Sequence, residues 1–336
     1  MKSLSRKAHL MVFIVAATSI LIASPLFGKV EDNIKKSFQV EPGGKLTLET
    51  DIGSIEVKGM DSRTVDVEVI REVRTISSKR AEDLLEDFQI KFNQDGNDVY
   101  INAEYERTSW QKFWDNFRKH LRVKCIITVP QNYNVDLRTK GGSITTENIV
   151  GEARSRTSGG GLRFYRIQGP VWGKTSGGSI KISSCKGPAE VRTSGGGITI
   201  GEVGGNVFAH TSGGSIKIGL AQGEVDAHTS GGSVRVEEVQ GAIKARSSGG
   251  SVKAYISRQP ENDCRLTTSG GSVTVYMSDD IAVDVDARSS GGHVHTEFPV
   301  KIQGELSKSL LKAKINGGGP QLYLRTSGGS IYLKKM

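Results

Sequence analysis

The stretch Thr175-Ser-Gly-Gly-Ser-Ile-Lys-Ile-Ser-Ser-Cys-Lys-Gly-Pro-Ala-Glu-Val-Arg192 is one copy of a unit that fills most of the chain. Its opening returns at Thr157, Thr193, Thr211, Thr229 and Ser247, each 18 residues from the last, and Thr139 with Gly141-Gly142-Ser143 extends the register backwards. After Ser247 the interval lengthens to 21, reaching Thr268 and Ser289; a less regular stretch then leads to Asn316-Gly-Gly-Gly and Thr326-Ser-Gly-Gly-Ser. Self-similarity at a fixed short period is the mark of a repeat architecture.

With Thr175 as position 1, apolar residues recur at fixed places. Position 6 holds Ile144, Leu162, Ile180, Ile198, Ile216, Val234 and Val252, and position 8 holds Phe164, Ile182, Ile200, Ile218 and Val236. A spacing of two puts them on one face of a strand. Position 11 carries Ile149, Ile167, Cys185, Val203, Ala221 and Val239, position 13 is glycine from Gly151 to Gly241, and positions 15 and 17 alternate again, as in Val207/Ala209. Each unit therefore reads as two short strands joined by two glycine corners.

One such unit cannot bury its apolar face alone. If 18 residues make one coil, identical positions stack about 4.8 Å apart and the inward residues form continuous aliphatic columns. The reading is an all-β, two-sheeted β-solenoid over residues 139–336, with room for roughly ten rungs at that rise. A meander of antiparallel hairpins has the same inward periodicity and is the alternative. The corner glycines are expected to supply positive φ and to let coils approach without Cβ clashes.

Residues 29–138 read as a smaller β-rich region with one or two short helices. Phe38 to Thr50, Gly53 to Gly59 and Val65 to Ile70 alternate as strands, and Ser78 to Phe88 fits a short helix. Gly53-Ser54-Ile55-Glu56-Val57 resembles the repeat core, so the region can open the solenoid itself. In residues 109–121, Trp110, Phe113, Trp114, Phe117 and Leu121 recur at helical spacing opposite Lys112, Arg118 and Lys119. That basic amphipathic helix is expected to contact a membrane surface or a protein partner, or to cap the solenoid's end. Residues 1–28 have the order of a signal peptide: Lys2, Arg6 and Lys7, an apolar run from Leu10 to Ala23, then small residues. Export to periplasm, cell surface or medium is the expectation.

The Phe38-Gln-Val-Glu-Pro-Gly-Gly opening, the Val129-Pro130 strand ending and the serial Thr-Ser-Gly-Gly-Ser-Ile units together resemble the bacterial putative-adhesin family of β-strand-repeat proteins of unknown function. The resemblance covers nearly the whole chain after residue 28. It implies a β-solenoid at or beyond the cell envelope, in a family with no generally assigned catalytic residues; no cofactor is expected.

Composition narrows the classes further. The 336 residues carry a net charge of +9, with 24% charged and 36% hydrophobic residues, which excludes an acidic disordered chain and a polytopic membrane protein. Three cysteines are too few for a disulfide scaffold, and Cys125, Cys185 and Cys264 all fall on inward alternations. Function then has to sit on outward positions. Position 7 holds Arg163, Lys181, Lys217, Arg235 and Lys253; position 18 holds Arg156, Lys174, Arg192, His210, His228 and Arg246. Two basic ladders suit an anionic glycan or another envelope component better than nucleic acid, although cations also keep a strand face soluble. Trp172 and Phe208 at position 16 add stacking platforms for sugars. The competing class is a carbohydrate-active enzyme, a lyase or hydrolase, for which Asp279, Asp280, Asp284 and Asp286 are the best carboxylate group. His210/His228 and His293/His295 lack a third ligand at metal spacing, so no metal site is expected.

Overall fold

The computed structural model describes residues 22–23, 29–74, 78–105, 121–303 and 307–336. Its strands form two sheets of 15 strands each. Each 18-residue unit gives one strand to each sheet: Ile180–Cys185 lies in the first sheet and Ala189–Thr193 in the second. The next unit runs parallel on both, with Ile180 opposite Ile198 and Ala189 opposite Val207. Like positions are therefore stacked, and the hairpin alternative does not hold for the repeats. Ile144, Leu162, Ile180, Ile198, Ile216, Val234 and Val252 form one buried column, and Ala153, Val171, Ala189, Val207, Val225 and Ile243 face it from the second sheet. Among the described residues all-β character is nearly complete, broken by one α-helix at Ser78–Asp87.

Hydrogen bonds between coils explain the Thr-Ser-Gly-Gly-Ser signature. The position 1 hydroxyl is buried and donates to the second glycine's carbonyl one coil earlier: Thr175 to Gly160 at 2.7 Å, Thr193 to Gly178 at 2.8 Å, Thr211 to Gly196 at 2.7 Å. The position 5 serine does the reverse, accepting from the next coil, as when Ser233 N–H donates to Ser215 Oγ at 3.1 Å. Each corner is tied to both neighbours by side chains as well as backbone.

The glycines act by size, and here the positive-φ expectation needs correcting. Of the glycines from Gly141 to Gly271 only Gly151 has a positive φ, and the other two residues of that range in the left-handed region are Asn148 and Arg166. At the position 4 glycines the decisive fact is proximity: a Cβ on Gly178 would fall within contact radius of the Gly160 carbonyl, and one on Gly160 would meet Gly142 in the same way. Stacked corners leave no space for a side chain at position 4.

Both ends of the rod depart from sequence order. At the amino-terminal end, strands Lys45–Thr50 and Ser54–Met60 make a coil whose Leu46 lies opposite Val135 and whose Ile55 lies opposite Ile144. Outside it sits a coil from later in the chain, Asp98–Tyr105 with Leu121–Pro130. The carboxyl-terminal end mirrors this. Gln321–Thr326 and Ile331–Lys335 are inserted between the coil of Cys264–Thr268 and Val273–Met277 and the outer one of Val283–Ser289 and Val294–Thr296. The coils nearest the termini are thus held between two parallel neighbours.

Antiparallel strands close the ends. Thr64–Arg74 pairs with Leu121–Pro130, and Lys29–Gln39 pairs with Thr64–Arg74. Arg71 forms an ion pair with buried Asp32 and donates to the Leu85 and Phe88 carbonyls at 2.8 and 3.0 Å, fixing the helix to this extension. Ala81 and Leu84 supply the helix's buried side, with Leu85 only partly buried. The expected leader and the expected helix over 109–121, with Trp110, Phe113, Trp114 and Phe117, lie outside the described residues except for Ile22–Ala23 and Leu121.

Candidate binding surface

Stacking turns every outward position into a column along the rod. On the second sheet, position 18 gives Arg138, Arg156, Lys174, Arg192, His210, His228 and Arg246, each opposite the next. Arg138 is paired with Asp136 at 3.1 Å and Arg192 with Glu190 at 3.2 Å. Among the described residues, no carboxylate lies within salt-bridge distance of Arg156, Lys174 or Arg246.

The first sheet's column is weaker than the sequence suggested. Arg163 and Lys181 stand opposite each other, but Thr199 separates them from Lys217, Arg235 and Lys253. Glu237 binds both Lys217 and Arg235 at 3.1 Å, and these contacts, led by the Lys217 hydrogen bond, hold its carboxyl below the ordinary value. Arg235 also lies 5.7 Å from the Tyr255 ring centroid and Lys253 5.7 Å from that of Tyr276, while the two tyrosines stack at 4.6 Å. Much of this ladder is engaged internally.

His210 and His228 stack with centroids 4.9 Å apart. Burial lowers the His210 pKa, and the neighbouring His228 and Arg192 lower it further against an opposing pull from Asp226. Acidification would therefore add charge to a column that already carries Arg192 and Arg246 on either side.

Position 16 forms the adjoining column on the same face. Its order is Asp136, Arg154, Trp172, Glu190, Phe208, Asp226 and Lys244, so Trp172 and Phe208 are one coil removed from direct neighbours. Both are half-buried and line an open depression of about 410 Å³, with Pro170 and Pro188 at the corner side. Arg192 reaches across from the cationic column to lie 4.6 Å from the Phe208 centroid.

The alternative chemistry finds less support in the geometry. Asp279, Asp284 and Asp286 are each ion-paired, to Lys335, Lys314 and Arg325 at 3.1, 3.6 and 2.8 Å. Each pair ties the inserted carboxyl-terminal coil or its connection to a neighbour. Among the described residues there is no group of three or more His, Cys, Asp or Glu side chains placed to hold a metal. The three cysteines are free and buried, and burial pushes the Cys125 and Cys185 thiols up to about 12. Inert thiols of this kind serve packing.

The family model described as Toastrack DUF4097 matches residues 45–334. The chain belongs to that family. The Toastrack match begins at the coil of Lys45–Thr50 and Ser54–Met60 and ends in the coil inserted near the other end, so it spans both departures from sequence order. Among solved structures, the Toastrack chain is similar to a "putative cell adhesion protein" of Clostridium sporogenes, with 15% identity, 90% of this chain and 99% of that chain covered, and a TM-score of 0.21. A "putative adhesin" of Bacteroides fragilis gives 13%, 90%, 97% and 0.31. A "putative lipid binding protein" of Parabacteroides distasonis gives 12%, 90%, 96% and 0.22. The curated proteins contain no match. No helix among the described residues is long and apolar enough to cross a membrane.

Proposed function

We propose that this Toastrack protein is a non-enzymatic, exported scaffold whose second sheet binds a polyanionic component at the cell envelope. The observation that carries the reading is the position 18 column from Arg138 to Arg246. Like charges set directly opposite on adjacent strands repel and destabilise the sheet. A stack of cations with three members lacking carboxylate partners is electrostatically incomplete, and an extended polyanion laid along the rod completes it. Regular spacing favours a repeating polymer over a compact ligand. The fold supplies rigidity, since every cationic side chain stands on a central strand hydrogen-bonded on both sides.

A glycan-array screen and a salt titration, run with polysaccharide-degradation assays, test this reading. Wild-type protein is expected to retain anionic polymers, to release them as ionic strength rises, and to leave them intact. An Arg156→Ser/Lys174→Ser/Arg246→Ser variant is expected to lose most of that retention with its melting temperature unchanged or raised. Retention indifferent to salt and to these three substitutions, or turnover of any polymer, would overturn it.

A further inference from the structure

We infer that the depression beside the cationic column recognises sugar rings, and that its ligand is a linear uronate-bearing polysaccharide lying along the rod. The inference rests on the reading above and adds to it a second determinant, the aromatic pair Trp172 and Phe208.

Three features of the groove specify this chemistry. The first is spacing. Trp172 and Phe208 occupy the same column two coils apart, about 10 Å at the separation of hydrogen-bonded strands. Two linked pyranose rings have nearly that length, so a straight glycan can place alternate rings on the two platforms. Both side chains are half-buried and have little rotamer freedom, which suits stacking against the C–H faces of sugars.

The second is the distribution of charge across the groove. At its corner side stand Glu152 and Glu224, and in the aromatic column Glu190 and Asp226 alternate with the platforms. On the other side, one column over, stand Arg156, Lys174, Arg192 and His210. A ligand carboxylate directed toward the corner would meet Glu152 or Glu224; directed the other way, it meets Lys174 or Arg156. The groove therefore accepts a polymer whose acidic groups project along one edge, in one orientation.

The third is the dual role of Arg192. Its guanidinium pairs with Glu190 at 3.2 Å and packs over the Phe208 ring at 4.6 Å. It cancels the carboxylate lying between the two platforms and joins the aromatic column to the cationic one. Glu152 is offset in the same way by Arg154 at 2.7 Å. These pairings offset Glu152 and Glu190 but not Glu224 or Asp226, so a uronate is favoured at the end of the groove where unpaired Arg156 and Lys174 stand.

Binding of three probes to the full-length mature protein separates ring recognition from charge. Hyaluronan fragments carry rings and alternate carboxylates, polyphosphate carries charge without rings, and chitin oligosaccharides carry rings without charge. Wild type is expected to bind hyaluronan more tightly than either of the others. A Trp172→Ala/Phe208→Ala variant is expected to bind hyaluronan about tenfold more weakly, a loss of about 1.4 kcal/mol, with unchanged affinity for polyphosphate. Arg156→Ser/Lys174→Ser should weaken both anionic probes, and Trp172→Phe should keep most of the hyaluronan affinity, showing that the aromatic face and not misfolding is at issue. Wild-type hyaluronan affinity in the double-alanine variant, with polyphosphate still bound, would overturn the ring site and leave the cationic column standing. Failure of the wild type to bind either anionic polymer would overturn both.

Discussion

Phe164 and Gly173 fill one space between them. A Cβ on Gly173 would stand 3.2 Å from Phe164 Cε2, 3.2 Å from Val191 Cγ1 and 3.3 Å from Leu162 Cδ1. Phe164 is the large exception at position 8, where the next coils carry Ile182, Ile200 and Ile218, and Gly173 is the small exception at position 17, where Ala209, Ala227 and Ala245 are found. The two deviations cancel in volume within one coil.

The compensation predicts coupling. Gly173→Ala alone is expected to cost about 1–2 kcal/mol through overpacking, because Phe164, Val191 and Leu162 are buried and have nowhere to move. In a Phe164→Ile background the same change should be neutral or stabilising, since it restores the Ile/Ala pair of the other coils. A double-mutant cycle by urea denaturation reads this directly. Additive effects would show that the ring and the missing Cβ do not share space.

Buried hydroxyls should divide into two classes. Thr193 donates to Gly178 at 2.8 Å, so Thr193→Val is expected to cost about 1–2 kcal/mol by leaving a buried carbonyl short of a partner. Thr146 Oγ1 and Ser155 Oγ are buried without any partner. Thr146→Val and Ser155→Ala should therefore stabilise the protein by up to about 1 kcal/mol. Thermal melts of the three variants check the contrast in sign.

The interleaved ends make the last coil a separable part. A chain ending at Gly319 lacks the coil that lies between Cys264–Met277 and Val283–Thr296, and it also loses the ion pairs of Arg325 with Asp286 and Lys335 with Asp279. A peptide of residues 320–336 added to that truncated chain is expected to bind and to raise its melting temperature. Calorimetry showing no binding, with the truncated chain as stable as the full one, would contradict the insertion.

Stability should fall on mild acidification, in a direction set by His210. Its folded-state pKa lies below the ordinary 6.5, so the unfolded chain takes up the proton first. The contribution is fully present above about pH 6.5 and is lost as pH drops through that value toward the folded pKa. His210→Gln is expected to flatten the dependence of melting temperature on pH in this range. Polyanion binding should move the opposite way, strengthening as His210 gains charge in the column that holds Arg192 and Arg246.

Much of this was legible in the sequence, for a physical reason. A fixed 18-residue period ties each residue type to one column, so the aliphatic core, the position 18 cations and the His210/His228 pair can all be read off without coordinates. The order of the end coils is different. Thr326-Ser-Gly-Gly-Ser has the same corner chemistry as every other unit, so its sequence fits any rung equally and does not say which one it fills. The role of the glycines was half-legible: close approach holds along the stacked corners, while among the glycines of the 18-residue units positive φ holds only at Gly151, and Asn148 and Arg166 adopt it without being glycine. Glu237, which neutralises Lys217 and Arg235, was readable in principle. It stands two residues after Arg235, hence on the same face.

Distances along one column test the stacking of coils most directly. Spin labels placed in pairs at Arg156/Arg192, Arg156/His228 and Arg156/Arg246, each through cysteine substitution in a background with Cys125, Cys185 and Cys264 replaced by alanine, measure separation after two, four and five units. The account predicts an increase of about 5 Å per unit, the spacing of neighbouring strands. An increase of about 10 Å per unit, as expected if each unit were a hairpin lying in a single sheet, or no regular increase at all, would contradict it.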